Sequence, residues 1–213
     1  MSELADRLDS ITEIIRKDFS EKDATRERSI PLCREAIRYC GNAIRAIHRH
    51  EFDKAKEMLS TAAELLREVE SSIKNCSELR NTGFLHDAQK ELTEGYVTLA
   101  LITGEPLPAP DELSVEYAAY LNGLGEAVGE LRRYLLDGLR KGDQSRGEDL
   151  LEAMDDIYNI LVTIDFPDAI TGGLRRTTDN FRGVLEKTRS DLTLMIQQKS
   201  LENKLGKYYE RRD

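Results

Sequence analysis

The sequence of 213 residues lacks the features of a disulfide scaffold or a membrane protein. Its three cysteines form no C-x-x-C pair, and an odd number of scattered thiols indicates a reducing compartment. The longest charge-free stretch, residues 95–104, has ten residues, whereas a membrane span needs about 20. Charged residues interrupt the first twenty positions, so we expect no secretory signal. These absences predict a soluble, cytoplasmic protein with no membrane partner.

The sequence also lacks an excess of positive charge. It has 31 Lys and Arg against 40 Asp and Glu, which gives a formal charge of −9. Because phosphate affinity depends on Lys and Arg, this balance argues against an outer surface that coats nucleic acid. A hydrophobic content of 39% is normal for a globular chain of this length, which is long enough to bury one core. We therefore expect a single domain over residues 1–213.

Apolar residues recur at steps of three and four, the spacing of an amphipathic helix, and no long stretch alternates with period two. The first stripe forms an N-terminal helical extension over residues 1–19, with Leu4, Leu8, Ile11, Ile15 and Phe19. Pro31 either begins the next helix or kinks a longer one. The spacing predicts an all-α bundle of six or seven long helices and a charged C-terminal tail over residues 196–213. The helices after the extension are expected at residues 29–48, 52–73, 84–103, 114–141, 147–164 and 173–205.

Several common catalytic motifs are missing. The chain has no G-x-S-x-G, no phosphate-binding G-x-x-x-x-G-K-[ST] and no H-E-x-x-H. No Glu lies three residues before a histidine, which argues against a ferritin-like two-metal bundle. Cys33, Cys40 and His48 share one helical stripe, and we interpret them as helix-interface residues, since free cysteines are commonly buried.

Two pairs of carboxylates at helical spacing are the main candidates for chemistry. Glu91 and Glu94 are three apart, and Glu126 and Glu130 are four apart, so each pair projects from one side of a helix. Brought together, the two pairs would form an all-oxygen site suited to Mg²⁺ or Mn²⁺. Such a metal can activate water for attack on a phosphodiester. The alternative is a solvated acidic face, because such pairs arise by chance in a chain with 40 acidic residues.

These motifs, in this order, resemble the translin and Trax proteins, especially their archaeal members. The resemblance covers about residues 20–195. It rests on Lys90-Glu-Leu-Thr-Glu94, Thr103-Gly-Glu-Pro-Leu-Pro108, Tyr120-Leu-Asn-Gly-Leu-Gly-Glu-Ala-Val-Gly-Glu-Leu-Arg-Arg133, Gly142-Asp143 and Gly173-Leu-Arg-Arg-Thr-Thr-Asp179.

The resemblance implies a closed octameric barrel that holds nucleic acid inside. Trax subunits are Mg²⁺-dependent endoribonucleases with four carboxylates in the site, and translin subunits lack this set. All four matching positions are acidic here, which favours the catalytic, Trax-like interpretation. Glu91, Glu94 and Glu126 would then hold the metal, and Glu130 would complete the ligand shell or orient the attacking water. The third position is often Asp, and here it is Glu126.

The resemblance also implies an RNA partner, single-stranded or duplex, with single-stranded DNA as a further candidate. The matching translin segment is rich in Arg and His, whereas here it offers Arg80 and His86. Arg34, Arg38 and Arg45 form a row along one helix, which is either RNA-facing or a solvated surface. The alternative function is a non-catalytic binding or scaffold protein. A homo-octamer, or an assembly with a second translin-like subunit, would place RNA inside an acidic exterior.

Overall fold

The computed structural model describes residues 3–74, 76–80 and 82–210, and this part of the chain contains nine helices and no strand. Six helices are long and three have four residues each, so the predicted all-α fold is confirmed. The helices are α1 (Glu3–His48), α2 (Phe52–Ile73), α3 (Ser77–Arg80), α4 (Gly83–Thr103), α5 (Pro110–Leu113), α6 (Tyr117–Arg140), α7 (Gly147–Leu161), α8 (Asp168–Thr171) and α9 (Leu174–Glu210).

Helix α1 is continuous for 46 residues, although the sequence predicted separate helices over residues 1–19 and 29–48. Pro31 lies inside this longer helix and does not begin a new one. Proline removes one backbone donor and normally weakens a helix interior. Here the buried face of α1 continues on both sides of the proline, although before Pro31 it consists of the polar residues Thr25 and Ser29, where the hydroxyl of Ser29 donates to the carbonyl of Thr25 at 2.8 Å. Buried contacts therefore carry the helix past Pro31.

Helix α4 lies in the middle of the bundle, where it packs against α1, α2 and α6. Helix α6 packs in turn against α7 and α9. Small residues such as Ala36, Ala43, Ala55 and Ala62 are fully buried and let α1 and α2 approach closely. The core therefore surrounds α4, and a side chain that α4 directs toward α6 is enclosed on several sides.

The start of α6 is fixed against α4 by specific hydrogen bonds. The sequence predicted this helix from residue 114, but Ser114 has a left-handed φ of 55° and ends α5. The backbone N–H of Glu116 donates to the Oε1 atom of Gln89 on α4 at 3.3 Å. The Tyr120 hydroxyl donates to the carbonyl of Pro108 at 2.7 Å. These bonds set how α6 lies along α4.

Both ends of the described chain are helices that extend beyond the core. The first buried residue of α1 is Thr25, and the apolar stripe from Leu4 to Phe19 is exposed. Helix α9 continues to Glu210, so the predicted C-terminal tail is helical up to that residue, and positions 211–213 lie outside the described residues. Leu194, Leu201 and Leu205 are exposed on it. Within the described residues, none of the helices is long and apolar enough to cross a membrane.

Candidate metal centre

A close contact between α4 and α6 creates the site. A Cβ atom on Gly123 of α6 would lie 2.7 Å from the carbonyl oxygen of Lys90 and 2.6 Å from the Cβ of Thr93, both on α4. Only glycine allows this approach, because backbone atoms on α4 occupy the space that a larger residue needs. Glu126 follows Gly123 by three residues and so projects from the same side of α6. The contact therefore places Glu126 opposite the carboxylates of α4.

Three carboxylates meet at this contact. One oxygen from each of Glu91, Glu94 and Glu126 lies within 4.8 Å of the other two. Two oxygens on opposite sides of an octahedral Mg²⁺ are about 4.2 Å apart, since each Mg–O bond is about 2.1 Å. Three oxygens on one ion include at least two neighbouring pairs, each about 3.0 Å apart, so the three groups would need to close by up to about 1.8 Å to hold it. The donor set contains oxygen alone, as Mg²⁺ and Mn²⁺ prefer.

The site concentrates negative charge in a poorly solvated place. Glu94 is 9% exposed. Its burial, together with the charges of Glu91, Glu126 and Glu130, raises the Glu94 pKa to about 8. Burial and the neighbouring Glu126 also raise the pKa of Glu91. A bound cation would relieve both effects by favouring the ionised forms.

Lys90 supplies a positive charge beside the cluster. Its Nζ atom donates to Oε1 of Glu126 at 2.8 Å, and its side chain is 20% exposed. Burial alone would lower the Lys90 pKa, but the hydrogen bond to Glu126 and the surrounding carboxylates leave it raised. The helical spacing of the carboxylates gives no indication of this lysine, although it directly precedes Glu91.

Glu130 has different partners from the other three carboxylates. Its Oε2 atom lies 2.5 Å from Nε2 of His48 and 3.6 Å from a guanidinium nitrogen of Arg133. The hydrogen bond with His48 lowers the Glu130 pKa, although burial acts in the opposite direction. Glu130 therefore belongs to the same acidic region but lies outside the group of three.

The three residues of the predicted stripe, Cys33, Cys40 and His48, have different surroundings in the structure. Both cysteines are buried at the helix interface, as the sequence indicated. Burial raises the thiol pKa of Cys33 to about 11, with a further contribution from Glu70. His48 instead reaches Glu130 on α6, 82 residues away in sequence. Nothing in the helical spacing could have identified that partner.

The candidate RNA-binding residues are spread over two regions. At 100° per residue, Arg34, Arg38 and Arg45 lie within about 40° of one another, on the side of α1 opposite its buried alanines. All three are exposed. Arg80 pairs with Glu70 at 3.7 Å, and His86 is partly buried against α8 and the turn that follows it. Their role in binding RNA stays a prediction.

The fold and this site define a class: an all-helical bundle in which two central helices bring three carboxylates within 4.8 Å of one another. No protein-family profile matches the chain. An uncharacterized protein of Methanocaldococcus jannaschii is 30% identical over 189 residues, which cover 88% of this chain and 83% of that protein.

Solved structures extend this comparison. A complex of AfC3PO with duplex RNA is 36% identical, with a TM-score of 0.79 over 88% of this chain and 97% of that one. A crystal structure of AfC3PO is 35% identical, with a TM-score of 0.77 over the same shares. Apo-NeC3PO is 16% identical over 86% of this chain and 96% of its own, and its TM-score of 0.76 supports the fold alone. AfC3PO and NeC3PO are translin/Trax proteins. The chain belongs to the translin/Trax family.

Proposed function

We propose that this chain is a Trax-like endoribonuclease that depends on Mg²⁺ or Mn²⁺ and cleaves RNA inside a closed oligomeric barrel. The observation that carries the proposal is the meeting of Glu91, Glu94 and Glu126 within 4.8 Å, at a contact that glycine makes possible. The similarity to AfC3PO, which has been solved with duplex RNA, supports RNA as the substrate.

Each side chain has a distinct role in this proposal. Glu91, Glu94 and Glu126 would hold the metal ion. When bound, Mg²⁺ or Mn²⁺ would neutralise the charge of a phosphodiester and favour ionisation of a water molecule. Glu130 keeps one oxygen free of His48, and this Oε1 atom would accept a proton from the attacking water. Lys90 would leave Glu126 for a phosphate oxygen once the site is loaded.

The assembly resolves the conflict between an acidic chain and a polyanionic substrate. In a closed barrel, RNA would meet only the residues that line the interior, and the average charge of −9 over the whole chain says nothing about the charge there. We propose a homo-octamer of eight times 24.2 kDa, or about 194 kDa, in the cytoplasm. A second, related subunit could replace some copies of this chain.

The test compares Glu126→Gln with Glu57→Gln, a matched change at an exposed position on α2. Labelled single-stranded and duplex RNA are incubated with each protein in Mg²⁺, with and without EDTA. We expect the wild type and Glu57→Gln to cut RNA only with metal, and Glu126→Gln to bind RNA without cutting it. Equal cleavage by the two variants would refute the assignment. RNA that is retained but never cut by the wild type would favour the non-catalytic binding protein.

A further inference from the structure

Helix α1 ends at a histidine that reaches into the acidic region. The His48 side chain is 6% exposed, and its Nε2 atom lies 2.5 Å from Oε2 of Glu130 on α6. A hydrogen bond to an ionised carboxylate is about twice as strong as one between neutral groups. The sequence places His48 and Glu130 on different helices, so only the folded chain makes this pair.

The surroundings of His48 determine which ring nitrogen carries the hydrogen. Nδ1 is buried and has no hydrogen-bond partner among the described residues. Placing the only hydrogen on Nδ1 would leave a buried donor unpaired and would turn the Nε2 lone pair toward a carboxylate. Nε2–H therefore donates to Glu130. The ring of Tyr134 lies alongside, with the ring centres 6.4 Å apart.

This hydrogen bond engages Oε2, one of the two carboxylate oxygens of Glu130. Arg133 also faces Oε2, at 3.6 Å, but its side chain is 55% exposed and its pairing is correspondingly weaker. Oε1 is left as the oxygen that can accept a proton. The three carboxylates that come together in the candidate metal site do not include Glu130.

We propose that His48 is a positioning residue that holds Glu130 out of the metal-ligand set and keeps its Oε1 atom available as the proton acceptor for the attacking water. This inference rests on the proposed nuclease function. It separates Glu130 from the three metal ligands and assigns a role to a buried histidine that the reaction would not otherwise need.

The test replaces His48 with two residues whose side-chain amides differ in length by one methylene group. The Nε2 atom of glutamine can occupy the place of the histidine Nε2, whereas asparagine is one methylene shorter. We expect His48→Gln to retain RNA cleavage within about threefold and His48→Asn to lose about 10- to 100-fold in kcat, because a misplaced base loses part of its 10²–10⁴-fold contribution. The KM for RNA and the affinity for Mn²⁺, measured by calorimetry, should stay within about threefold in both variants. A purely structural role would instead make cleavage follow the melting temperature of each variant.

Further variants separate the outcomes. In a Glu130→Gln background, His48→Asn should cause no additional loss, because the two residues act as one unit. Loss of Mn²⁺ binding in His48→Asn would overturn the inference, since Glu130 would then be a ligand. A folded His48→Gln as inactive as Glu130→Gln would also overturn it, even if His48→Asn does not fold. Absence of cleavage by the wild type would instead refute the proposed function, and the positioning role with it.

Discussion

Replacing Glu94 with glutamine should stabilise the metal-free protein, and the gain should depend on pH. The Glu94 pKa is about 8, against an ordinary value of 4.5. In the folded state the group therefore keeps its proton between these values, whereas in the unfolded state it is ionised. The wild type consequently loses stability as the pH rises from about 4.5 to 8. At about 1.4 kcal/mol for each pH unit, the total reaches about 5 kcal/mol.

Glutamine has no proton to lose in this range, so the variant escapes the penalty. For a chain of this size, 1 kcal/mol shifts the melting temperature by about 2–4 °C. We expect Glu94→Gln to melt at least about 10 °C above the wild type at pH 8.5 and to show little difference at pH 4.5. Calorimetric melting across this range, in EDTA, measures the effect, and the exposed Glu57→Gln serves as the matched control.

Adding Mg²⁺ completes the experiment. The ion binds ionised carboxylates, so it should raise the melting temperature of the wild type more at pH 8.5 than at pH 5. The same addition should affect Glu94→Gln less. A difference between variant and wild type that is equal at both pH values would refute the reasoning, because the stabilisation would then have no link to a buried charge.

The other predictions concern the helix contact and the assembly. Gly123→Ala should cost about 1–3 kcal/mol and weaken Mn²⁺ binding, because the new Cβ meets the carbonyl of Lys90 at 2.7 Å. Gly129→Ala, on the same helix with nothing within 4 Å, should instead stabilise by up to about 1 kcal/mol, and equal effects in calorimetry would contradict this account. Leu8→Glu and Leu201→Glu alter the exposed stripes at the two ends of the chain. If the chain forms the proposed octamer of about 194 kDa, each variant should reduce the mass in light scattering toward the 24.2 kDa of one chain. An unchanged mass in both variants would place the contacts between copies elsewhere.

The helices and the carboxylate pairs could be predicted because both depend on local spacing. Residues three or four apart share a helix face, so Glu91 with Glu94 and Glu126 with Glu130 were identifiable as pairs. The structure brings three of these four groups together. The continuity of α1 past Pro31 was harder to anticipate, since it depends on tertiary contacts that outweigh the intrinsic effect of a proline.

The partners of the site residues could not be predicted from spacing. The ion pair between Lys90 and Glu126 and the hydrogen bond between His48 and Glu130 both join different helices. These pairs depend on Gly123, because this residue determines how closely α6 approaches α4. A glycine inside a helix indicates a close approach, but the sequence alone does not say which backbone it meets.

The buried thiol of Cys40 affects which metal ions the site would select. Copper and zinc bind most nitrogen and sulfur sites more tightly than magnesium does, and a thiolate is a ligand that they favour. Burial, together with the charges of Glu91 and Glu94, raises the pKa of Cys40 far above its ordinary value. Since only the thiolate binds metal strongly, the protonated sulfur is a poor ligand. Burial and the same carboxylates that would hold a hard cation in the proposed site thus keep the nearby sulfur protonated, which would disfavour binding of softer, more competitive ions.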